Sequence, residues 1–345
     1  MSDGSTTALA SPTGPPAPRV RQRLFVVGAP RSGTTLLQSL LAAHPDVASF
    51  TESHLFSRHY RPWPRLGAAT LLRDPRPRLA AWRRENALDD DGDGGDGDAA
   101  VDAELDRLLA AALLRPLRGA AVGRCLLRAI DLAAQRRGRA VWVEKTPRHL
   151  LYLDWLERLA APERRSTAVA EDSPRLDFVH VVRRGEDVVR SLHAASRSWP
   201  RPYPPAECVR RWNHDVALTL RRVGTGPGRD HLVVYEHLVA SPEAVLRSLL
   251  VRLGLAWTAA VLDDYAAVAE GLVTAEETWK QDVARPIAPT GGRREEPVEG
   301  WARRVRAELY RGAEEIAASQ SSTSPSPPSP GSSGAAPPRG EGAGA

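Results

Sequence analysis

The chain has 345 residues and a formal net charge of +5, and 42% of its residues are hydrophobic. This length allows one large α/β domain with insertions, or two small domains. No stretch approaches the roughly 18 apolar residues of a membrane span, so we expect no transmembrane segment. The two cysteines, Cys125 and Cys208, are too few for a disulfide framework. The arginines are scattered along the chain, so the positive charge does not by itself predict nucleic-acid binding.

Both ends of the chain have a composition typical of disorder. Residues 1–20 are rich in Ser, Thr, Pro and Gly and contain no basic-then-apolar run. We therefore predict a disordered segment without a signal peptide, and a cytoplasmic location. Residues 319–345 are rich in Ser, Pro and Gly with almost no apolar content, which predicts a disordered tail. The folded domain is expected over residues 21–318.

The first predicted strand, residues 24–27, runs into a loop with glycines at both ends. Gly28 and Gly33 have the spacing of the nucleotide-binding P-loop, but Thr34 takes the lysine position and Arg31 is the loop's cation. A helix is predicted over 35–43, and unpaired amides at its start can hold a phosphate. The amides concerned belong to Ser32, Gly33, Thr34 and Thr35. The lysine that reaches the outer phosphates of ATP or GTP is missing.

Residues 57–137 interrupt the alternation of strands and helices that follows a weaker predicted strand at 47–50. This insert contains an acidic loop, 89–98, which we predict to be mobile, and a leucine- and alanine-rich helix over about 102–114. We expect the insert to form a helical lid over the edge of the protein where the cosubstrate would bind. Tyr60, Trp63 and Trp82 in the insert could stack on an acceptor, although such aromatics more often form a small core.

The next predicted strand, residues 140–143, leads to Lys145. The sequence contains only two lysines, Lys145 and Lys280, and otherwise uses arginine as its cation. A lysine in such a chain suggests a position that needs a compact ammonium group rather than a planar guanidinium. A solvated lysine at a strand end is the alternative interpretation.

Two further strands are predicted at 176–182 and 231–235. Arg183 follows the first of them, where an ATPase or GTPase would carry an aspartate for magnesium, so no metal site is expected. Helices are predicted over 148–159, 186–196, 206–223 and 242–253. This alternation predicts a central parallel sheet flanked by helices, with ligands bound beyond the carboxyl ends of the strands.

Four segments together resemble a known family. They are residues 28–35 (Gly-Ala-Pro-Arg-Ser-Gly-Thr-Thr), 182–191 (Val-Arg-Arg-Gly-Glu-Asp-Val-Val-Arg-Ser), 234–245, and 284–290 with Gly300-Trp301. The chain resembles the sulfotransferases that use 3′-phosphoadenosine 5′-phosphosulfate (PAPS), in the Arg-Ser-Gly-Thr-Thr branch that includes protein-tyrosine, carbohydrate and many bacterial enzymes. The resemblance implies a P-loop-like three-layer fold over residues 21–318 and PAPS as cosubstrate, without a metal.

The resemblance also implies roles for individual residues. Residues 31–35 would hold the 5′-phosphosulfate, and Arg183 and Ser191 would bind the 3′-phosphate. Arg31 and Lys145 would stabilise the leaving oxygen. Glu52 matches the catalytic glutamate of the tyrosine-sulfating branch in its offset from the loop arginine, and His54 is the rival base. In the fourth segment Gly300 stands where the family has a basic residue, which leaves the roles of Arg293 and Arg294 open.

The residues leave two other functions open. One is an ATP- or GTP-dependent P-loop phosphotransferase, which would need a lysine at position 34 and an acidic magnesium ligand. The other is a non-catalytic relative that binds a nucleotide or a nucleic acid, which would bind more weakly as salt increases. For a sulfotransferase, the acceptor would be a small molecule, carbohydrate, lipid or peptide with a hydroxyl or amine.

Overall fold

A computed structural model describes residues 18–63, 66–88, 96–110, 115–161, 173–225, 228–272, 286–287 and 300–322. Its strands are β1 (Gln22–Gly28), β2 (Val47–Ser49), β3 (Tyr60–Trp63), β4 (Ala68–Leu71), β5 (Val141–Lys145), β6 (Arg175–Val182) and β7 (Asp230–Val234). A five-stranded parallel sheet has the order β2-β5-β1-β6-β7, and β3 and β4 form a separate antiparallel hairpin. The predicted central parallel sheet is confirmed.

Helices cover both faces of the sheet. They are α1 (Thr34–Ala42), α2 (Arg76–Glu85), α3 (Asp96–Ala110), α4 (Arg115–Arg136), α5 (Leu153–Ala160), α6 (Gly185–Ser196), α7 (Pro205–Thr225), α8 (Tyr235–Ala240), α9 (Pro242–Leu253), α10 (Ala260–Asp263), α11 (Tyr265–Leu272) and α12 (Ala307–Ser322). The predicted helix over 148–159 begins as a 3-10 helix, Pro147–Tyr152, and continues as α5. Among the described residues, none of these helices is both long enough and apolar enough to cross a lipid bilayer.

The pleat of β1 explains the three layers. Leu24 and Val26 pack in one core with α1 and α9, whereas Phe25 and Val27 pack in another with α4 and α5. Successive side chains of a strand point to opposite faces, so an all-apolar strand requires cover on both sides. A third core lies between the ends of β6 and β7 and the helices α6, α7 and α12.

The insert differs from the prediction of a wholly helical lid. It contains the β3–β4 hairpin, whose buried side chains pack near α4, with the Tyr60 hydroxyl donating to the Gly119 carbonyl at 3.0 Å. Tyr60 and Trp82 are buried, so they belong to the core rather than to an acceptor surface, while Trp63 is 44% exposed. That the insert acts as a lid stays a prediction.

The predicted acidic loop, residues 89–98, is helical in its last three residues. Residues 89–95 lie outside the described residues, but α3 already begins at Asp96. Carboxylates in the first turn of a helix interact favourably with its unpaired amides. Asp98 in that turn also pairs with Arg136 at 2.7 Å and with Arg83 at 3.5 Å.

The folded domain extends slightly beyond its predicted ends. Val20 is buried in the core, before the predicted start at residue 21. At the other end α12 continues to Ser322, past the predicted end at residue 318. Gln320 explains this extension, because its side chain accepts from the Leu232 amide at 2.9 Å and donates to the Asp230 carbonyl at 3.2 Å. Most of the predicted disorder, 1–17 and 323–345, lies outside the described residues.

Candidate active site

The candidate site lies at the carboxyl edge of the parallel sheet. Val26 of β1 is paired with Lys145 of β5, and Gly28 of β1 is paired with Val181 of β6. Because the strands are parallel, the residues that follow them emerge at the same edge, which is where ligands bind in open α/β sheets. The glycine loop therefore lies at the same edge of the sheet as Lys145 and the residues from Arg183 onward.

The glycine loop between β1 and α1 has an unusual backbone. Gly28 has φ 152°, and a Cβ there would lie 2.4 Å from the Val181 carbonyl oxygen. Arg31 has φ 75°, in the left-handed region that non-glycine residues rarely adopt. Such conformations concentrate at functional sites, where the surroundings must hold them in place.

The start of α1 has open hydrogen-bonding capacity. Gly33 occupies the N-cap position, no side chain caps the helix, and its first turn carries no acidic residue. The Ser32 hydroxyl is buried and has no hydrogen-bond partner among the described residues. The Ser32 amide is not among the unpaired donors that were predicted, because it donates to the Ala29 carbonyl at 3.2 Å. The remaining unpaired amides and the positive end of the helix dipole favour an anion. The loop is therefore suited to the phosphate end of a nucleotide.

Gly33→Ala is expected to abolish tight nucleotide binding and to lower stability. Gly33 has φ 92°, and an added Cβ would lie 2.2 Å from the Tyr235 ring, so either the loop or the ring must move. Calorimetric titration with adenosine 3′,5′-bisphosphate and thermal unfolding would measure both effects. Gly138→Ala is the matched control, because Gly138 also has positive φ (65°) but has open space around it. Equal effects of the two substitutions would contradict this prediction.

The segment after β6 is held by two aromatic side chains. The Arg183 guanidinium lies 4.5 Å from the centre of the Tyr235 ring, and the Trp212 indole donates to the Arg183 carbonyl at 3.1 Å. The Arg183 Nε is buried without a hydrogen-bond partner among the described residues. A buried guanidinium donor with no partner is suited to binding an anion such as a phosphate.

The two predicted phosphate-binding segments are in direct contact. The Arg31 Nε donates to the Ser191 hydroxyl at 3.0 Å, across from the glycine loop to α6. The family resemblance implied a role for both residues but did not reveal their contact. An anion bound at the glycine loop or at α6 would therefore lie next to the hydrogen bond between Arg31 and Ser191.

Glu52 and Lys145 form an ion pair. The Lys145 ammonium donates to Glu52 Oε1, and Lys145 is only 1% exposed. Glu52 follows β2 and Lys145 ends β5, and these strands are neighbours in the sheet. The solvated-lysine interpretation of Lys145 is therefore wrong, because a buried ammonium requires a partner.

His54 lies on the other side of the Glu52 carboxylate. Its Nε2 is 3.3 Å from Glu52 Oε2. Burial lowers the pKa of His54 from 6.5 to about 4, despite the opposing effect of Glu52, so the imidazole is neutral near pH 7. The two candidate bases, Glu52 and His54, thus lie side by side, and the Lys145 ammonium contacts Glu52.

His54 is expected to make the protein less stable in acid. Its pKa is about 4 in the folded chain and 6.5 for an unperturbed histidine, so between these values the unfolded chain binds a proton that the folded chain does not. The free energy of unfolding should therefore fall as the pH drops from about 6.5 towards 4. Denaturant unfolding at pH 7 and pH 5 should show a smaller drop for His54→Gln than for the parent. An unchanged drop, or the same change in the surface control His237→Gln, would contradict this expectation.

The insert holds the Glu52 segment in place. Arg78 of α2 donates to the Glu52 carbonyl at 2.6 Å and to the Ser53 carbonyl at 2.8 Å. The Trp82 indole donates to the Thr51 carbonyl at 3.2 Å. The backbone that carries the candidate base is therefore fixed by side chains 25 to 31 positions later in the chain, which no local pattern could reveal.

A model of the sulfotransferase family matches residues 23–259. The chain belongs to the sulfotransferase family. The matched region spans the glycine loop, the Glu52 segment, Lys145 and the Arg183 segment. It ends before α12, and Arg293 and Arg294 lie both beyond it and outside the described residues.

Individual sulfotransferases are more distantly similar. The protein-tyrosine sulfotransferase of Drosophila melanogaster is 25% identical over 244 residues, covering 69% of this chain and 39% of that protein. Protein-tyrosine sulfotransferase 1 of Danio rerio is 25% identical over 247 residues, covering 69% of this chain and 55% of that protein. The chain thus matches only about half or less of these relatives' length. The sulfotransferase domain of the Synechococcus PCC 7002 olefin synthase aligns over 88% of this chain and 97% of its own length, with 19% identity and a TM-score of 0.45.

Sequence reasoning about this member of the family missed Tyr235, and it placed Glu236 past a strand end at this edge without its contacts. Tyr235 contacts both the glycine loop and Arg183. Glu236 accepts from the Arg184 amide at 3.0 Å and from the Tyr310 hydroxyl at 2.8 Å, which ties the start of α6 to α12. The position of Tyr235 directly after the apolar β7 strand was the only available signal, because residues past strand ends face the site.

Proposed function

We propose that the chain transfers the sulfuryl group of PAPS to an acceptor hydroxyl or amine by in-line displacement. The observation that carries the proposal is the contact of the two anion-suited segments at one sheet edge, through Arg31 and Ser191. This arrangement suits a nucleotide with separated 5′ and 3′ anionic groups. Family membership supports the sulfuryl chemistry.

The residues divide into those that hold the nucleotide and those that act on the reacting atoms. Arg183 and Ser191 would bind the 3′-phosphate. The 5′ end would lie against the glycine loop and the start of α1, where the donors come from Arg31, Ser32, Gly33, Thr34 and Thr35. Holding both ends fixes the reacting sulfur relative to the acceptor, which lowers the entropic part of the barrier.

The transfer forms a bond between the acceptor oxygen and sulfur and breaks the bond between sulfur and the bridging phosphate oxygen. Glu52 would take the acceptor's proton as this bond forms. Lys145 and Arg31 would stabilise the negative charge that develops on the leaving oxygen. Lys145 and His54 both contact the Glu52 carboxylate in the structure, so they would orient its oxygens for this transfer.

The acceptor is proposed from the named relatives. Both matched proteins are called protein-tyrosine sulfotransferases, so a tyrosine hydroxyl in a peptide is the first acceptor to test. Carbohydrate, lipid and small-molecule hydroxyls are the others. The free thiols Cys125 and Cys208 are compatible with the proposed cytoplasmic location, since reducing compartments keep cysteines unpaired.

Turnover of PAPS with a panel of acceptors tests the proposal. Purified protein would be incubated with PAPS and, in turn, a tyrosine peptide, a phenol, an oligosaccharide and a sterol, and formation of adenosine 3′,5′-bisphosphate would be measured. We expect formation that depends on one acceptor class and is lost in Glu52→Gln. Hydrolysis of magnesium-ATP without acceptor-dependent turnover of PAPS would contradict the proposal and favour a P-loop phosphotransferase.

A further inference from the structure

Glu144 directly precedes Lys145 on β5, and its side chain is fully buried. Its Oε1 accepts from the Ser53 amide at 3.3 Å, the Ser53 hydroxyl at 2.8 Å and the Thr146 hydroxyl at 2.6 Å. Its Oε2 lies 2.9 Å from Nδ1 of His149. One buried carboxylate therefore gathers donors from two separate segments of the chain.

These partners keep Glu144 ionised inside the protein. Burial alone would raise the pKa of Glu144, but the neighbouring His149 and the hydrogen bonds hold it below the usual value. His149 is itself fully buried, with its ring 5.2 Å from Phe56 and 5.9 Å from Phe25 between ring centres. The acceptor and its donors are thus enclosed by packed side chains.

The bonded residues are the direct neighbours of the candidate catalytic pair. Ser53 follows Glu52, and Thr146 follows Lys145. The Thr146 hydroxyl oxygen also accepts from the His54 amide at 3.3 Å. Glu144 therefore joins the backbone segments of Glu52 and Lys145 through the residue that follows each of them. Its side chain lies on the opposite face of β5 from that of Lys145.

We propose that Glu144 is a positioning residue that sets the geometry of the Glu52–Lys145 pair through Ser53 and Thr146. This inference rests on the proposed function, in which that pair acts on the reacting atoms. A misplacement of about 1 Å can lower an enzymatic rate about 100-fold, so fixing two segments from one carboxylate has a direct catalytic effect.

The scarcity of lysine offers a readout that does not require turnover. Protein grown with isotope-labelled lysine gives side-chain NMR signals from Lys145 and Lys280 only, and Lys280→Arg assigns them. Ser53→Ala removes one donor to Glu144 without changing any charge. Ser196→Ala is the matched control, because Ser196 is equally buried and its hydroxyl donates to the His193 carbonyl at 2.8 Å at the far end of α6.

We expect Ser53→Ala and Glu144→Gln to shift the Lys145 signal, while Ser196→Ala leaves it in place. Turnover should fall about 10-fold or more in both variants, with the affinity for adenosine 3′,5′-bisphosphate changed less than about twofold. An unmoved Lys145 signal in Ser53→Ala, with stability lowered as in Ser196→Ala, would overturn the inference. A shifted signal in a protein that binds no bisphosphate would instead refute the proposed function alone.

Discussion

Glu52→Gln is expected to lower turnover by about 10²- to 10⁴-fold, the usual contribution of a positioned base. The glutamine oxygen can still accept from Lys145, so the buried ammonium keeps a partner and the fold is retained. Glu52→Ala is less informative, because removing one partner of a buried ion pair costs about 3–5 kcal/mol of stability. Steady-state turnover with the acceptor found by screening, together with calorimetric titration of the bisphosphate, measures the effect.

His54→Gln distinguishes the two candidate bases. If Glu52 takes the proton, His54→Gln should lower turnover much less than Glu52→Gln, because His54 then only orients the carboxylate from 3.3 Å. Nucleotide affinity should remain within about twofold in both variants, which is under 0.5 kcal/mol. A larger loss in His54→Gln than in Glu52→Gln would assign the base to His54.

Arg183→Ala is expected to weaken binding of adenosine 3′,5′-bisphosphate by about 10- to 100-fold, or about 1.4–2.8 kcal/mol. Its Nε is buried without a hydrogen-bond partner among the described residues, so a bound phosphate would satisfy a donor that is otherwise unpaired. Turnover at saturating cosubstrate should change far less than affinity, since Arg183 is assigned to the 3′-phosphate and not to the reacting atoms.

Arg190→Ala is the matched control for Arg183→Ala. Both variants remove one arginine from the same segment, but Arg190 is exposed on α6 and pairs with Asp187 at 3.7 Å. Its removal should leave the affinity within about twofold, because an exposed charge is screened by solvent. Equal losses in the two variants would show that net charge, and not a 3′-phosphate site, governs binding.

The sequence alone was sufficient for the elements with strong local patterns. Each strand of the parallel sheet was predicted within two residues, because runs of β-branched residues are distinctive when both faces are buried. The glycine loop was also recognisable from the spacing of Gly28 and Gly33. Both positions require glycine in the structure, because an added Cβ would collide with neighbouring atoms. The β3–β4 hairpin was missed because its strands are four residues each and carry Arg, Pro and Gly around them.

Contacts between distant segments could not be predicted. Lys145 was singled out for its rarity, but its partner Glu52 lies 93 positions away and on another strand's loop. Neither Glu144 nor His149 was predicted as a site residue, because a glutamate before a lysine at a strand end is ordinarily solvated. The helix boundary at Ser322 depended on Gln320 bonding to β7, a tertiary contact that overrides a polar composition.

The most direct measurement is a calorimetric titration of the full chain with adenosine 3′,5′-bisphosphate, compared with magnesium-ATP under the same conditions. We expect clear binding of the bisphosphate and much weaker binding of ATP, because the proposed site combines the glycine loop for a 5′ group with Arg183 for a 3′-phosphate. The NMR signal of Lys145 should shift in the same titration. Preference for magnesium-ATP, or binding of neither nucleotide, would contradict the sulfotransferase mechanism proposed for this site.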